Sequence, residues 1–237
     1  MKSRILLQAL RNTFPVFLGY MAIGIAFGLL MADAGYPWWL TLAMSALMFA
    51  GAGQYIAVGL FAAGTTLWEA VIVQFVVNAR HIAYGFSMMN RFKNAGPIKY
   101  YLIFGLTDET FALLSSLPET GNSDENGQEK TRLMFYITLL DHLYWITGSM
   151  IGVIAGSLIP FGTEGIGYAL TALFIVLMIE QIRRIRKPWI FIVSSILTVL
   201  CVIFLHPRLC LLAAMAAALI ASSFFSKNSL PEKGRQA

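Results

Sequence analysis

Polar positions interrupt this chain only briefly. Apolar runs cover 14–34, 40–63, 67–89, 100–117, 133–159, 165–182, 189–205 and 207–225. Most are long enough to cross about 30 Å of hydrocarbon as a helix. None keeps the strict alternation of a barrel strand. Short breaks separate them at 34–37 (AGYP), 63–66 (AGTT), 94–97 (NAGP), 160–162 (PFG) and Lys187-Pro188. One stretch, 118–132 (PETGNSDENGQEKTR), is long, acidic and polar, and is expected to be a flexible loop. The pattern predicts an all-α polytopic membrane protein with six to eight transmembrane segments, forming a single transmembrane domain over 1–237.

Composition agrees. Mean hydropathy is +0.70 and 12% of residues are charged, against about 25% in a soluble domain. The net charge of +5 reads as cytoplasmic loop bias, not as nucleic-acid binding. Cys201 and Cys210 form no CxxC pair, so neither a metal nor a cofactor is expected. The start, MKSRILLQALRN, is too polar for a cleavable signal peptide. There is no GxSxG, HExxH or P-loop lysine, which argues against an enzyme.

Basic clusters change the topology. They lie at Lys2/Arg4/Arg11, Arg91/Lys93/Lys99, Arg183/Arg184/Arg186/Lys187 and Lys227/Lys233/Arg235, and all belong in the cytoplasm under the positive-inside rule. Three apolar segments separate the first cluster from the second, and three more separate the second from the third. One segment in each group must therefore enter and leave on the same face. The candidates are 40–63, broken by the glycines of AGAGQY (50–55), and 165–182, ending in MIEQ. Both termini are then cytoplasmic and 118–132 is external. Glycines in AIGIAFG and TGSMIGVIAG, on spans of opposite direction, extend this to an inverted repeat with halves 1–117 and 133–225. Eight plain spans with one exceptional basic loop is the alternative.

The chemistry centres on Arg80, in VVNARHIAYG near the middle of an apolar run. A central arginine costs about 2.5–3.5 kcal/mol on insertion scales, so it needs a carboxylate or a wet cavity. Asp108 and Glu109, midway along 100–117, and Asp141, in LLDHLYW, are the candidate partners. Asn78, His81 and Gly85 share one helical face, and Arg80 and Tyr84 another. An arginine there suits a substrate carboxylate, and a carboxylate suits an ammonium or a proton. His81 can relay protons. Gly51, Gly53 and Gln54 are read as unwound backbone offering amides to a zwitterion, with close helix packing as the alternative. The expected substrate-binding set is thus Gly51, Gly53, Gln54, Asn78, Arg80, Tyr84 and Trp145. The proton-coupling set is His81, Asp108, Glu109 and Asp141. Gly24/Gly28 and Gly148/Gly152/Gly156 read as packing seams. Trp38, Trp39, Trp68 and Trp189 read as interfacial anchors.

Three motifs, FAGAGQYIAVGL (49–60), NARHIAYG (78–85) and GLTDETFAL (105–113), resemble in order and spacing those of the AzlC family, the large subunits of bacterial branched-chain amino-acid exporters. The resemblance implies a bacterial cytoplasmic (inner) membrane protein that exports leucine, isoleucine and valine, and methionine or analogues. It further implies coupling to the proton gradient and a small AzlD-type membrane partner. The competing functions are a passive amino-acid facilitator and a non-transporting scaffold subunit.

Overall fold

A computed structural model describes residues 2–118, 124–158, 175, 179 and 188–204. Among them every regular element is a helix: α1 (Lys2–Asp33), α2 (Trp38–Leu47), α3 (Gly51–Ala62), α4 (Leu67–Met88), α5 (Ile98–Phe104), α6 (Asp108–Ser116), α7 (Asp124–Leu158) and α8 (Pro188–Phe204). The chain divides into two compact units, Met1–Leu170 and Thr171–Ala237. In the second unit the described element is α8, a 17-residue apolar helix that starts at Pro188, where a missing N–H costs nothing. The expected re-entrant segment 165–182, with Glu180 and Gln181, lies outside the described residues apart from positions 175 and 179.

Stretches Ser3–Asp33 and Gly127–Leu158 are long and apolar enough to cross a membrane. They belong to α1 and α7, whose mutual contact is the most extensive between described helices. Glycine is the reason. Gly24 and Gly28 of α1 face Gly148 and Gly152 of α7, and Gly156 packs on Leu29 and Ala32. A Cβ on Gly24 would lie 3.2 Å from the Trp145 carbonyl oxygen, and one on Gly28 would fall on that of Ser149. The expected packing seam is therefore present. Small residues every fourth position let two backbones touch where lipid gives no hydrophobic drive to association.

Around this pair a core of Ile5, Ala9, Met88, Phe92, Leu102, Leu106, Leu114, Met134 and Ile137 joins α1, α4, α5, α6 and α7. Leu7, Phe14, Leu18, Leu67, Phe75 and Phe86 are exposed, an apolar exterior suited to hydrocarbon. Trp38, Trp39 and Trp68 are exposed at helix starts. The side chain of Trp189 lies outside the described residues. Turns fall where the sequence places them, with Gly35 at φ 75° and Gly64 at φ 60°. Thr66 and Glu69 form a capping box that starts α4: Thr66 N donates to Glu69 Oε2 at 2.8 Å, and Glu69 N donates to Thr66 Oγ1 at 3.3 Å. Thr66→Ala is expected to lower stability by about 1 kcal/mol. Thermal unfolding in detergent checks this, and an unchanged midpoint contradicts it.

Three local expectations are corrected. The segment 40–63 does break, but at 48–50, immediately before the glycines. Gly51, Gly53 and Gln54 are helical, and the left-handed residue is Phe49, at φ 38°. Tertiary contact accounts for this: the Phe49 ring packs at 4.4 Å on His142 and at 6.3 Å edge-on to Tyr20. Next, the run 100–117 is two helices, broken at 105–107. Thr107 caps α6, its Oγ1 accepting from Thr110 N at 3.2 Å. Asp108 and Glu109 are thus not mid-span but in a helical first turn, where the macrodipole favours carboxylates. Finally, α7 begins at Asp124, so most of the expected external loop is helical. Its Glu, Gln, Lys and Arg residues are good helix formers that the polar composition concealed.

Candidate functional site

The two helix breaks meet at one cavity. It has a volume of about 880 Å³, and its wall includes Met48, Phe49 and Ala50 from the first break and Leu106 from the second. Asn78, His81, Ile82, Gly85, Phe86 and Met89 of α4 form a further wall, with Lys93, Lys99, Tyr100, Ile103 and Phe104 completing it. The predicted Asn78/His81/Gly85 face is therefore the face that lines the cavity.

Polar groups in this wall are few and placed. Asn78 Nδ2 donates to Gln74 O at 2.9 Å and to Gln74 Oε1 at 3.0 Å. Two acceptors on one side identify that atom as nitrogen. Asn78 Oδ1, buried, has no partner. Gln74 Nε2 in turn donates to Gly53 O at 2.8 Å. A Cβ on Gly53 would lie 2.8 Å from Asn78 Nδ2, so glycine here admits α4 against α3. The first N–H groups of α3 lack intrahelical acceptors, and Ala50, just before them, lines the cavity.

Arg80 does not line the cavity. Consecutive helical residues point about 100° apart, and Arg80 turns from the His81 face toward α6. Its Nη1 lies 2.6 Å from Asp108 Oδ2. Tyr84 Oη donates to Asp108 Oδ1, and the Tyr84 ring stacks on Phe111 at 4.5 Å. Of the three candidate carboxylates the sequence offered, the structure pairs Arg80 with Asp108. The Arg80 side chain is 37% exposed and that of Asp108 14%, while Arg80 Nε is buried without a partner.

Behind the cavity, against α7, lies a buried polar layer. Trp145 Nε1 donates to Gln54 Oε1 at 2.7 Å, and Gln54 Nε2 donates to Ser45 Oγ at 3.4 Å. Trp145 and Gln54 were expected at the substrate. Both are sealed in this layer instead, at 3% and 0% exposure, because each satisfies the other's buried polar group. Gly51 packs on the Trp145 ring, its Cβ position 3.0 Å from Cη2. His142 sits between Tyr101 Oη, 3.1 Å from Nδ1, and Ser45 O, 3.3 Å from Nε2. Tyr20 Oη donates to Glu109 Oε2 at 2.8 Å and lies 2.6 Å from Thr107 Oγ1. Thr110 Oγ1 donates to Asp141 Oδ2 at 2.8 Å. Glu109 and Asp141 therefore border the second break from outside the cavity.

Of the expected residues, the structure brings Asn78 and His81 to the cavity. Arg80, Tyr84 and Asp108 meet beside it, and Gly51, Gly53, Gln54, Trp145, Glu109 and Asp141 lie behind it. Sequence reading missed Phe49, Thr107 and Thr110. The TDET of 107–110 carries a helix-start signal, a threonine followed at once by two acids, which an unbroken apolar run overrode. Phe49 has no such local signal.

The region holding the cavity, the ion pair and the buried layer is also the region of family likeness. Residues 15–159 match the family described as AzlC protein. A Helicobacter pylori (strain J99) protein described as an uncharacterized membrane protein is 39% identical over 228 residues, covering 93% of this chain and 96% of its own length. The Bacillus subtilis branched-chain amino acid transport protein AzlC is 39% identical over 182 residues, 77% of this chain and 70% of its own. The Escherichia coli inner membrane protein YgaZ is 27% identical over 188 residues, 77% of this chain and 75% of its own. No solved structure matches. A family match across well over half the chain, joined by two relatives at 39% identity, leaves one conclusion: the chain belongs to the AzlC family.

Proposed function

We propose that this protein is the large subunit of a secondary transporter that exports leucine, isoleucine and valine, with methionine or analogues, across the bacterial cytoplasmic membrane. It is a multi-pass protein with both termini inside, works with a small AzlD-type subunit, and is driven by a cation gradient, the proton being the expected ion. The observation that carries the reading is the cavity where both helix breaks meet. Its walls are mainly apolar and suit a branched side chain, with Met48, Ile82, Phe86 and Phe104 among them. Asn78 Oδ1 is an acceptor without a partner, suited to the substrate ammonium. The start of α3 beside Ala50 suits the carboxylate. Broken helices at a binding site are a recurring transporter design.

Lys93, exposed, and Lys99, half-buried, both on the wall, belong to the basic cluster expected in the cytoplasm. They draw an anionic carboxylate to the mouth from the side on which an exporter loads. The Arg80–Asp108 pair ties α4 to α6 across the second break, so its rupture frees the α4 wall to move against α6. His81 on the wall and Asp108, Glu109 and Asp141 around the second break are the candidate proton carriers. The name of the Bacillus subtilis relative and the motifs shared with its family support the substrate class.

The test is leucine efflux from preloaded cells, with and without an uncoupler, comparing the chain alone with the chain plus a small membrane partner. Wild type should accelerate efflux, and the uncoupler should suppress it. Asn78→Leu should raise the half-saturating leucine concentration by about tenfold or more, since a hydrogen bond to a charged group contributes about 1.5–3 kcal/mol. Efflux at the background rate in every arm would overturn the proposal.

A further inference from the structure

The carboxylates around the second break are not equivalent. Asp108 is held by Arg80 and Tyr84, and Glu109 accepts from Tyr20. Asp141 is fully buried. Its Oδ2 accepts from Thr110, but its Oδ1 has no partner. Three residues earlier on α7, Thr138 is also fully buried, and its Oγ1 too has no partner. Residues three apart on a helix share a face. The α5–α6 break covers that face: Thr110 reaches Asp141, and a Cβ on Gly105 would fall on the Thr138 methyl. Two sealed oxygens, one of them a carboxylate's, thus belong to side chains on the helix face that the break covers, and neither has a hydrogen-bond partner among the described residues.

Such a pair is costly to leave alone. An unpartnered buried polar group costs about 1–3 kcal/mol, and more when charged, and in a native structure it calls for an ion or water. Groups that titrate near Asp141 are Tyr20 from α1, Glu109 from α6, and His142 on its own helix. His142 is turned to Tyr101 of α5 and the Ser45 carbonyl of α2. Among the described residues the hydrogen-bond partner of Asp141 is Thr110, and Glu109 adds negative charge. The ligand set is carboxylate and hydroxyl oxygen, which suits a hard cation.

We infer that Asp141 and Thr138 form the binding site of a small monovalent cation, proton or sodium, and that this cation is the one coupled to substrate movement. The coupling role rests on the transport reading above; the site itself does not. A hydrogen-bond chain leads from Asp141 toward the substrate region. Asp141 holds Thr110, Thr107 Oγ1 donates to Thr110 Oγ1 at 3.1 Å, and Asp108 follows Thr107 in the chain. Loss of the cation leaves a bare carboxylate next to Glu109 and loosens the first turn of α6, which holds Arg80.

The experiment uses the full chain in nanodiscs and in proteoliposomes. Thermal stability is measured against pH in choline chloride, and against sodium chloride replacing choline at fixed pH. Wild type should be stabilised by one of these cations, and which one assigns the ion. Asp141→Asn keeps the shape without the charge. It should lose that response and gradient-driven efflux but retain leucine counterflow. Thr138→Val should shift the half-maximal cation concentration by about tenfold or more, as loss of a supporting group does at metal sites. A wild type indifferent to both cations, or an Asp141→Asn protein that responds like wild type, overturns the inference. A cation response that survives in Asp141→Gln but not in Asp141→Asn overturns it as well. A normal cation response in a wild type without leucine flux supports the site and instead overturns the transport reading.

Discussion

Arg80→Ala is expected to abolish leucine export while leaving the protein inserted in the membrane. The guanidinium lies 2.6 Å from Asp108, and its removal leaves that carboxylate held by the Tyr84 hydroxyl but without its cation. Breaking a buried ion pair costs about 3–5 kcal/mol. Here that figure is an upper bound, because Arg80 is 37% exposed and solvent or headgroup screening weakens exposed pairs. The double variant Arg80→Ala/Asp108→Asn separates the two roles of the pair. Removing both charges relieves the stranded carboxylate, so stability measured by thermal unfolding should recover toward wild type. Export should stay absent, because the link between α4 and α6 is gone. Export that recovers along with stability would make the pair architectural.

The other large effect is expected from Gly152→Val. A Cβ there would fall on the Ile25 carbonyl oxygen and lie 2.9 Å from the Ile25 Cα. Backbone, unlike a side chain, cannot rotate away, so α1 and α7 must separate. Overpacking usually costs about 1–3 kcal/mol, and this case belongs at or above the top of that range. Folded yield after detergent extraction, read by size-exclusion chromatography, should fall sharply. Gly59→Ala is the control: nothing lies within 4 Å of its Cβ position, and alanine is the better helix former by about 1 kcal/mol. Equal behaviour of the two variants would show that the seam does not hold the fold together.

Much of this was readable along the chain. The apolar runs place α1, α4 and α7, the glycine spacing places the seam between α1 and α7, and the period of α4 separates the Asn78/His81 face from the Arg80/Tyr84 face. Those features depend on burial and helical period, which are local properties of the sequence. The family followed from motifs of the same kind.

Tertiary structure decided the rest. Phe49 is left-handed because its ring has a place among His142, Tyr20 and Phe104, and no residue beside it in sequence supplies those contacts. Arg80 chose Asp108 over Asp141 because Thr107 starts a new helix that turns the first carboxylate toward α4, while the second is held behind α6 by Thr110. Gln54 and Trp145, polar enough to suggest a ligand, satisfy each other across 91 positions. Hydropathy fixes which residues enter the membrane. Which polar groups meet there depends on where helices break, and a break is stabilised by partners that hydropathy does not record.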